Sequence, residues 1–393
     1  MSGRLNFSMN QKDHLLHLCS YSYESGGPAS VILNHSGFQV AAGMDVSIAS
    51  SMDQTHHAYP TAPGVHLSVF TQSIFSRILS EFSWSLLFWF IRKRHTFQFI
   101  HIHGLWYFGA LLPFLVPNKA KKIITIHGFL DPYAWKRSAW KKKLLWNLMQ
   151  KRFLRQADLI HVISREEEQI LLDLFPDLRA KIVFIPNGIE DPKAQILPDP
   201  SPDFVKRMAE IKADTSFVFL FLSRINRKKG LDILINAFEE LSHKHGKDVH
   251  LIIAGPQDDF SNELQDRMFT YPYTNIDVFD VVRGSNKAHL LEQVSGFILP
   301  SYSEGFSIAA LEALAYGKPS VLSTRIGFAS ELIAADAALI CEPTQDAVCQ
   351  AMQTLVSDAN LQKRLASNAR ALFLANYQIE QVASNFVNAI KQV

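Results

Sequence analysis

Disulfide chemistry is the first thing this sequence does not support. Its 393 residues include three cysteines, Cys19, Cys341 and Cys349, and none forms a close CxxC pair. A disulfide framework and a zinc knuckle both lose their basis, and a reducing compartment fits best. An apolar signal-peptide core is missing from the opening residues, "MSGRLNFSMNQKDH", so the expected location is cytoplasmic. No Asp-x-Asp triplet occurs in the chain, so no acid cluster of that kind stands ready to hold a divalent ion on a phosphate. The dinucleotide fingerprint GxGxxG is absent too. Neither an internal repeat nor a low-complexity segment is visible.

Charge is scarce in one long stretch. Residues 97–117, "FQFIHIHGLWYFGALLPFLVP", carry no Lys, Arg, Asp or Glu. That length could cross a bilayer. Two histidines, a glycine and a proline interrupt it, so it reads better as a buried strand, a loop "HIHGLW" and a helix start.

What is present describes a folded protein of two domains. Hydrophobic residues make up 48% and charged residues 19%, which excludes a disordered chain. The length is too great for one ordinary core. The net charge of +2 hides an uneven split. Residues 1–190 hold 20 Lys+Arg against 13 Asp+Glu, which leaves 19 against 24 for residues 191–393. A basic front half suits an anionic partner.

Short apolar runs alternate with helical patterns throughout. "HLLHLC", "DVSIAS", "FQFIHI", "KIITIH", "DLIHVIS" and "KIVFIP" read as buried strands in the first half. "FVFLFLS", "VHLIIAG", "IDVFDVV", "GFILPS", "PSVLST" and "AALIC" do so in the second. Continuous apolar runs are typical of buried parallel strands, and their alternation with helices predicts doubly wound α/β sheets. The proline-rich stretch 186–204 separates the two sets. This places a first Rossmann-like domain at 1–190, a linker at 191–204, a second Rossmann-like domain at 205–376, and a last helix at 377–393 that could pack back on the first domain.

Candidate site residues gather where strands end, as in other sheets of this kind. "SRINRKKG" offers Arg224 and Lys229, a guanidinium and an ammonium suited to a pyrophosphate, although such loops are often only solvated. "SEGFSIAALEALAYGKPSV" holds Glu304 and Glu312, seven residues apart. Numbering a helix from Phe306 places Ile308, Glu312 and Ala315 on one buried face. A buried carboxylate needs a partner: a pair of ribose hydroxyls, or else a Lys or Arg. Gly305 permits close approach of a ligand, and the backbone of Phe306, Ser307 and Ile308 opens an anion site at the helix start. Glu304 is placed for a sugar hydroxyl, or is an ordinary cap. Gly26 and Gly27 before Pro28 allow a tight turn near a phosphate. His127 and His103 end two strands, and either could donate to a sugar or polarise the reacting centre. Trp106 lies beside His103 on what would be the acceptor side.

Together these residues resemble the retaining glycosyltransferases of family 4, which have the GT-B fold. The similarity covers almost the whole chain and is densest over 217–333. It rests on Glu304 and Glu312, on Arg224 and Lys229 before Gly230, and on "PNGI" at 186–189. The resemblance implies a pyrophosphate grip by Arg224 and Lys229, a ribose ligand in Glu312, and a donor-sugar contact in Glu304 and the backbone of Phe306 and Ser307. It places His127 near the reacting sugar and Gly26 and Gly27 over the donor phosphates. The family usually has Gly where Ser223 stands, and often a Gly-Gly pair where the run is "RIGFASEL". The implied partners are a nucleotide-sugar donor, with uridine favoured over guanosine, and a glycan or lipid-linked acceptor; no nucleic acid and no metal or other cofactor is expected. A nucleotide-sugar epimerase or hydrolase, and a binding protein without turnover, are the other readings. Two basic, aromatic segments, 135–155 and 82–95 ("FSWSLLFWFIRKRH"), suit docking on an anionic inner membrane face, or are solvated helices with rings packed on the core.

Overall fold

The computed structural model describes residues 13–22, 27–77, 79–128, 130, 145–270 and 275–393. Among them two parallel sheets stand out. The first has seven strands in the order β3-β2-β1-β4-β5-β6-β7. They are β1 (His14–Leu18), β2 (Asp45–Met52), β3 (Val65–Thr71), β4 (Phe99–His103), β5 (Lys121–Thr125), β6 (Leu159–Val162) and β7 (Ile182–Phe184). The second has six in the order β10-β9-β8-β11-β12-β13. They are β8 (Phe217–Leu222), β9 (Val249–Ala254), β10 (Ile276–Phe279), β11 (Gly296–Leu299), β12 (Ser320–Ser323) and β13 (Leu339–Cys341). Every pairing between these strands is parallel. Both are doubly wound α/β sheets, and each strand order reverses once: between β1 and β4, and between β8 and β11. Ligands of such sheets gather at that reversal.

Strand β8, "FVFLFL", is buried at all six positions, which is why it shows no alternation. β3 was not among the predicted strands. It lies at the sheet edge with half-buried and exposed positions only, so "VHLSVFT" lacks a continuous apolar run. The uncharged stretch 97–117 divides into β4, a turn and the helix α3 described below; among the described residues no helix is long and apolar enough to cross a membrane.

Among the described residues the first domain has the helices α1 (Gly27–Ala41), α2 (Trp84–Lys93), α3 (Phe108–Leu115), α4 (Lys151–Gln156) and α5 (Arg165–Leu174). Ser83 and Ser164 cap α2 and α5 with their hydroxyls, each satisfying an N–H that the helix leaves open. The second domain adds α6 (Pro202–Ala213), α7 (Leu231–His245), α8 (Ser261–Thr270), α9 (Gly284–Gln293), α10 (Ile308–Ala315), α11 (Ala329–Ala334), α12 (Gln345–Ser357) and α13 (Ala359–Asn376). The connection between domains is shorter than 191–204: a turn spans Pro192–Ala194 and α6 already starts at Pro202, where proline fits a first helical turn.

The chain crosses between domains twice at one place. Ile189 forms a parallel bridge with Gln378, and Arg370 clamps Asp191 through two hydrogen bonds of 2.8 and 2.6 Å. Beyond the crossing, α14 (Ile379–Lys391) returns to the first domain. Val382, Phe386, Val387 and Ile390 join Leu15, Val46 and Ile123 in one buried cluster.

Candidate active site

The two loops flanking the reversal of the second sheet carry most of the predicted residues. Residues 223–230 follow β8 and 300–307 follow β11. Gly230 joins them: its φ is +73°, and a Cβ there would lie 2.1 Å from the carbonyl oxygen of Pro300. The loops are thus pressed together, and Lys229 forms an ion pair with Glu304, each side chain only 13% exposed. Two residues separated by 75 positions become one enclosed unit in which each charge offsets the burial of the other.

Arg224 lies at the rim. Its guanidinium donates to Asp258 at 3.2 Å, and Asn226 donates to the same carboxylate oxygen at 3.1 Å. Asp258, after β9, was not foreseen; an acid at a strand end in "GPQDDF" was the available signal. Arg227 pairs with Glu263 and Asp232, and Asp232 also accepts from the Tyr302 hydroxyl at 3.0 Å.

The helix after Glu304 starts two residues later than Phe306. Ser307 is its cap, accepting from the Ala310 N–H at 3.2 Å. Its buried positions are Ala310, Leu311, Ala313, Leu314 and Ala315. The predicted face of Ile308, Glu312 and Ala315 is therefore corrected: Ile308 and Glu312 are half-buried and only Ala315 is fully enclosed. Glu312 accepts from Lys287 Nζ at 2.6 Å. Its carboxylate pushes the lysine pKa upward against the opposing effect of burial, so Lys287 is charged at neutral pH. Lys287, on α9, had no motif to announce it.

Gly305 closes the site toward the first domain. A Cβ on Gly305 would approach the Gly128 Cα to 3.2 Å, and one on Gly327 would fall 1.9 Å from the Gly305 carbonyl oxygen. Three glycines allow three backbone segments from two domains to meet here. Beside this contact stands His127, with a φ of +54°, a strained value for a histidine. What holds it is Glu167 on α5, which accepts from the Gly128 N–H at 2.6 Å and the Ile163 N–H at 2.9 Å. Burial pushes the Glu167 carboxyl up to about 7, against those two donors. The spacing Ser164-x-x-Glu167 is that of a capping box; the glutamate reaches past its own cap to the neighbouring strand's loop.

Two residues read as acceptor-side are enclosed. His103 is buried, with Nε2 on His17 Nδ1 at 2.8 Å and Nδ1 on His127 Nε2 at 3.0 Å. Trp106 is buried against Trp146, ring centroids 5.8 Å apart. Both are packed among other rings of the first domain. Gly27 is the first residue of α1, whereas Gly26 lies outside the described residues, as do residues 135–144 of the basic, aromatic segment.

Comparison with known proteins fits this geometry. Residues 25–192 match the model of the family described as Glycosyltransferase Family 4, and residues 204–372 match that described as Glycosyl transferases group 1. Each half of the chain thus matches a glycosyltransferase family model. Sucrose-phosphate synthase from Thermosynechococcus elongatus superposes with a TM-score of 0.79 at 18% identity, covering 97% of this chain and 99% of that one. Anabaena HepE, solved with UDP-glucose, gives 0.74 at 16% identity over 97% and 100%. These similarities show the GT-B fold. D-rhamnosyltransferase WbpZ of Pseudomonas aeruginosa is 28% identical over 281 residues, 70% of this chain and 68% of that protein. An uncharacterized glycosyltransferase of Methanocaldococcus jannaschii is 25% identical over 232 residues, 58% of each. The match spans 58% and 52% of the length of two curated Methanocaldococcus jannaschii relatives. In GT-B terms, Lys229, Glu304, Arg224 and Glu312 lie in the C-terminal domain, while His127 and Glu167 belong to the N-terminal one.

Proposed function

We propose that this chain transfers a sugar from a nucleotide diphosphate sugar to a hydroxyl of a glycan or lipid-linked acceptor, with retention at the anomeric carbon. The observation that carries the reading is the enclosed Lys229–Glu304 pair at the sheet reversal, with Arg224 at its rim. Lys229 and Arg224 take the pyrophosphate, and Glu304 and the backbone at Phe306 and Ser307 take the sugar. Glu312 takes the ribose hydroxyls while keeping Lys287. Uridine is favoured over guanosine as the base, in keeping with the UDP-glucose bound by HepE.

Reaction occurs on one face of the sugar. The bond from the anomeric carbon to the phosphate oxygen breaks, and the bond to the acceptor oxygen forms on the same side. The acceptor proton passes to the departing phosphate oxygen. Lys229 and Arg224 stabilise the charge that develops there, the task of preorganised donors. No metal is needed at the pyrophosphate in this scheme, because the two cations supply the countercharge. His127, held beside Gly305, faces the sugar as a neutral imidazole: burial pushes its pKa down to about 3.

The acceptor side is proposed to meet an anionic membrane. On α2, Leu86 and Phe90 face the core, whereas Trp84 and Phe88 are 49% and 56% exposed. Ile74 and Phe75 beside them are 76% and 50% exposed, and Arg92 and Lys93 follow. An apolar cluster rimmed by cations suits headgroups and the acyl boundary.

The test is incubation with a panel of UDP- and GDP-sugars and hydroxyl acceptors. Transfer supports the proposal; release of free sugar or an epimer points to a hydrolase or epimerase, and binding without turnover to a sugar-nucleotide-binding protein.

A further inference from the structure

Beneath the cleft, the first domain holds histidines that the proposed reaction does not use. His17 on β1 is paired in register with His101 on β4, and His103 stands two residues along on the same face. All three are buried. One ring nitrogen from each lies within 4.8 Å of the others. We propose that His17, His101 and His103 form a binding site for a zinc ion or a similar nitrogen-loving divalent ion. The proposal is independent of the donor-site reading, since these residues touch neither Arg224 nor Lys229.

The hydrogen bonds of the outer nitrogens carry it. A metal-bound neutral imidazole must donate its other N–H outward, and an acceptor there fixes the tautomer. His17 Nε2 faces Gln39 Oε1 at 2.8 Å. His101 Nε2 faces Thr125 Oγ1 at 2.6 Å, and that hydroxyl is relayed to His161 Nδ1 at 2.8 Å and on to the Ile185 carbonyl at 2.7 Å. His103 Nδ1 faces His127 Nε2 at 3.0 Å. All three outer positions thus have an acceptor. The inner nitrogens are then His17 Nδ1, His103 Nε2 and His101 Nδ1. The first two lie 2.8 Å apart, and the third is buried with no hydrogen-bond partner among the described residues. Ligands of a tetrahedral zinc at 2.0–2.1 Å stand about 3.3 Å apart, so the pair would open by roughly half an ångström.

The surroundings suit a cation held by neutral ligands. The histidines line a cavity of about 10 Å³ closed by Ile32, His35 and Phe386, room for one ion or one water. Three histidines with a fourth position left for water is an established zinc arrangement. Occupancy has a consequence at the cleft. It places the His103 proton on Nδ1, directed at His127 Nε2, and so the His127 proton on Nδ1.

The test uses the full chain, produced in zinc-supplemented medium, with metal content read by mass spectrometry and Zn2+ or Co2+ added to chelator-treated protein. One equivalent of zinc per chain is expected, with the ligand-field bands of a four-coordinate cobalt ion. Zn2+, and not Mg2+, should raise the thermal midpoint. His17→Gln and His101→Gln should each abolish stoichiometric binding. Gln39→Leu should weaken it roughly 10–100-fold, as loss of an outer partner does, and His35→Asn should leave it intact. Should the histidine variants fail to fold, the wild-type stoichiometry and cobalt spectrum decide alone. A wild-type chain without zinc, cobalt bands or midpoint shift would overturn the proposal and leave a water in the cavity. Zinc retained by both folded ligand variants would overturn it as well.

Discussion

At the reversal of the C-terminal sheet, the loops after β8 and β11 bring formal charges together: Lys229 with Glu304, and Arg224 with Asp258. At the reversal of the N-terminal sheet, β1 and β4 bring together His17, His101 and His103, with His127 next in line. Burial keeps these imidazoles neutral. The same topology thus builds one wall that can meet a doubly charged leaving group and another that is rigid and uncharged. Charge in the first wall offsets charge arriving with a ligand. The second offers neutral imidazole nitrogens, and among the described residues no acid joins the histidine cluster.

If the neutral wall is held together by packing, its largest sensitivity should be steric. Phe386 stacks on His101 with centroids 4.7 Å apart and is 1% exposed. Phe386→Ala should cost about 3–5 kcal/mol of stability, the range for a buried aromatic, measured by denaturant unfolding. A cost below about 1 kcal/mol would mean that α14 does not support the histidines.

For the charged wall the expected loss is catalytic. Lys229→Ala should lower kcat by roughly 10²–10³, the scale for one preorganised donor, measured on protein whose fold is checked separately because Glu304 loses its partner. Near wild-type turnover would misplace the donor site.

A third experiment probes the seam between the walls. The Glu167 carboxyl, pushed up to about 7 from a model-compound value of 4.5 by burial, keeps in the folded state a proton that the unfolded chain releases. Its contribution to stability is complete below pH 4.5 and is lost as pH rises through about 7. Wild-type stability should therefore fall over that window more steeply than Glu167→Gln, by at most about 1.4 kcal/mol per pH unit. Parallel curves for the two proteins would contradict this.

Smaller effects are expected on the surface. Sedimentation with anionic vesicles should recover the chain at low salt and release it at high salt, and Trp84→Ser with Phe88→Ser should weaken recovery. Equal recovery in the supernatant throughout would remove the membrane. Smallest of all, added magnesium or manganese should leave transfer unchanged, because in the proposed reaction Lys229 and Arg224 supply the countercharge to the pyrophosphate.

The comparison also explains what could be read from sequence. Buried parallel strands announce themselves, since "FVFLFL" or "VHLIIA" can hardly be anything else, and both domains followed from such runs. β3 escaped because an edge strand need not be apolar on both faces. Individual site residues were visible where a loop motif named them, as with Arg224, Lys229, Glu304 and Glu312. Their partners were not. Lys287 and Asp258 reach the site through the order of strands in the sheet, which no local spacing encodes. His103 and Trp106 were assigned outward because a strand end near a cleft has two sides, and only packing decides which one a side chain takes.

The central claim is that the loops after β8 and β11 bind a nucleoside diphosphate. Calorimetric titration of UDP into wild type and into the Arg224→Ala, Lys229→Ala double variant tests it most directly. Wild type should bind one UDP, and the variant, verified as folded, should lose about a hundredfold or more in affinity, on the scale of two charge-assisted contacts. A folded variant that binds UDP as tightly as wild type would contradict the account.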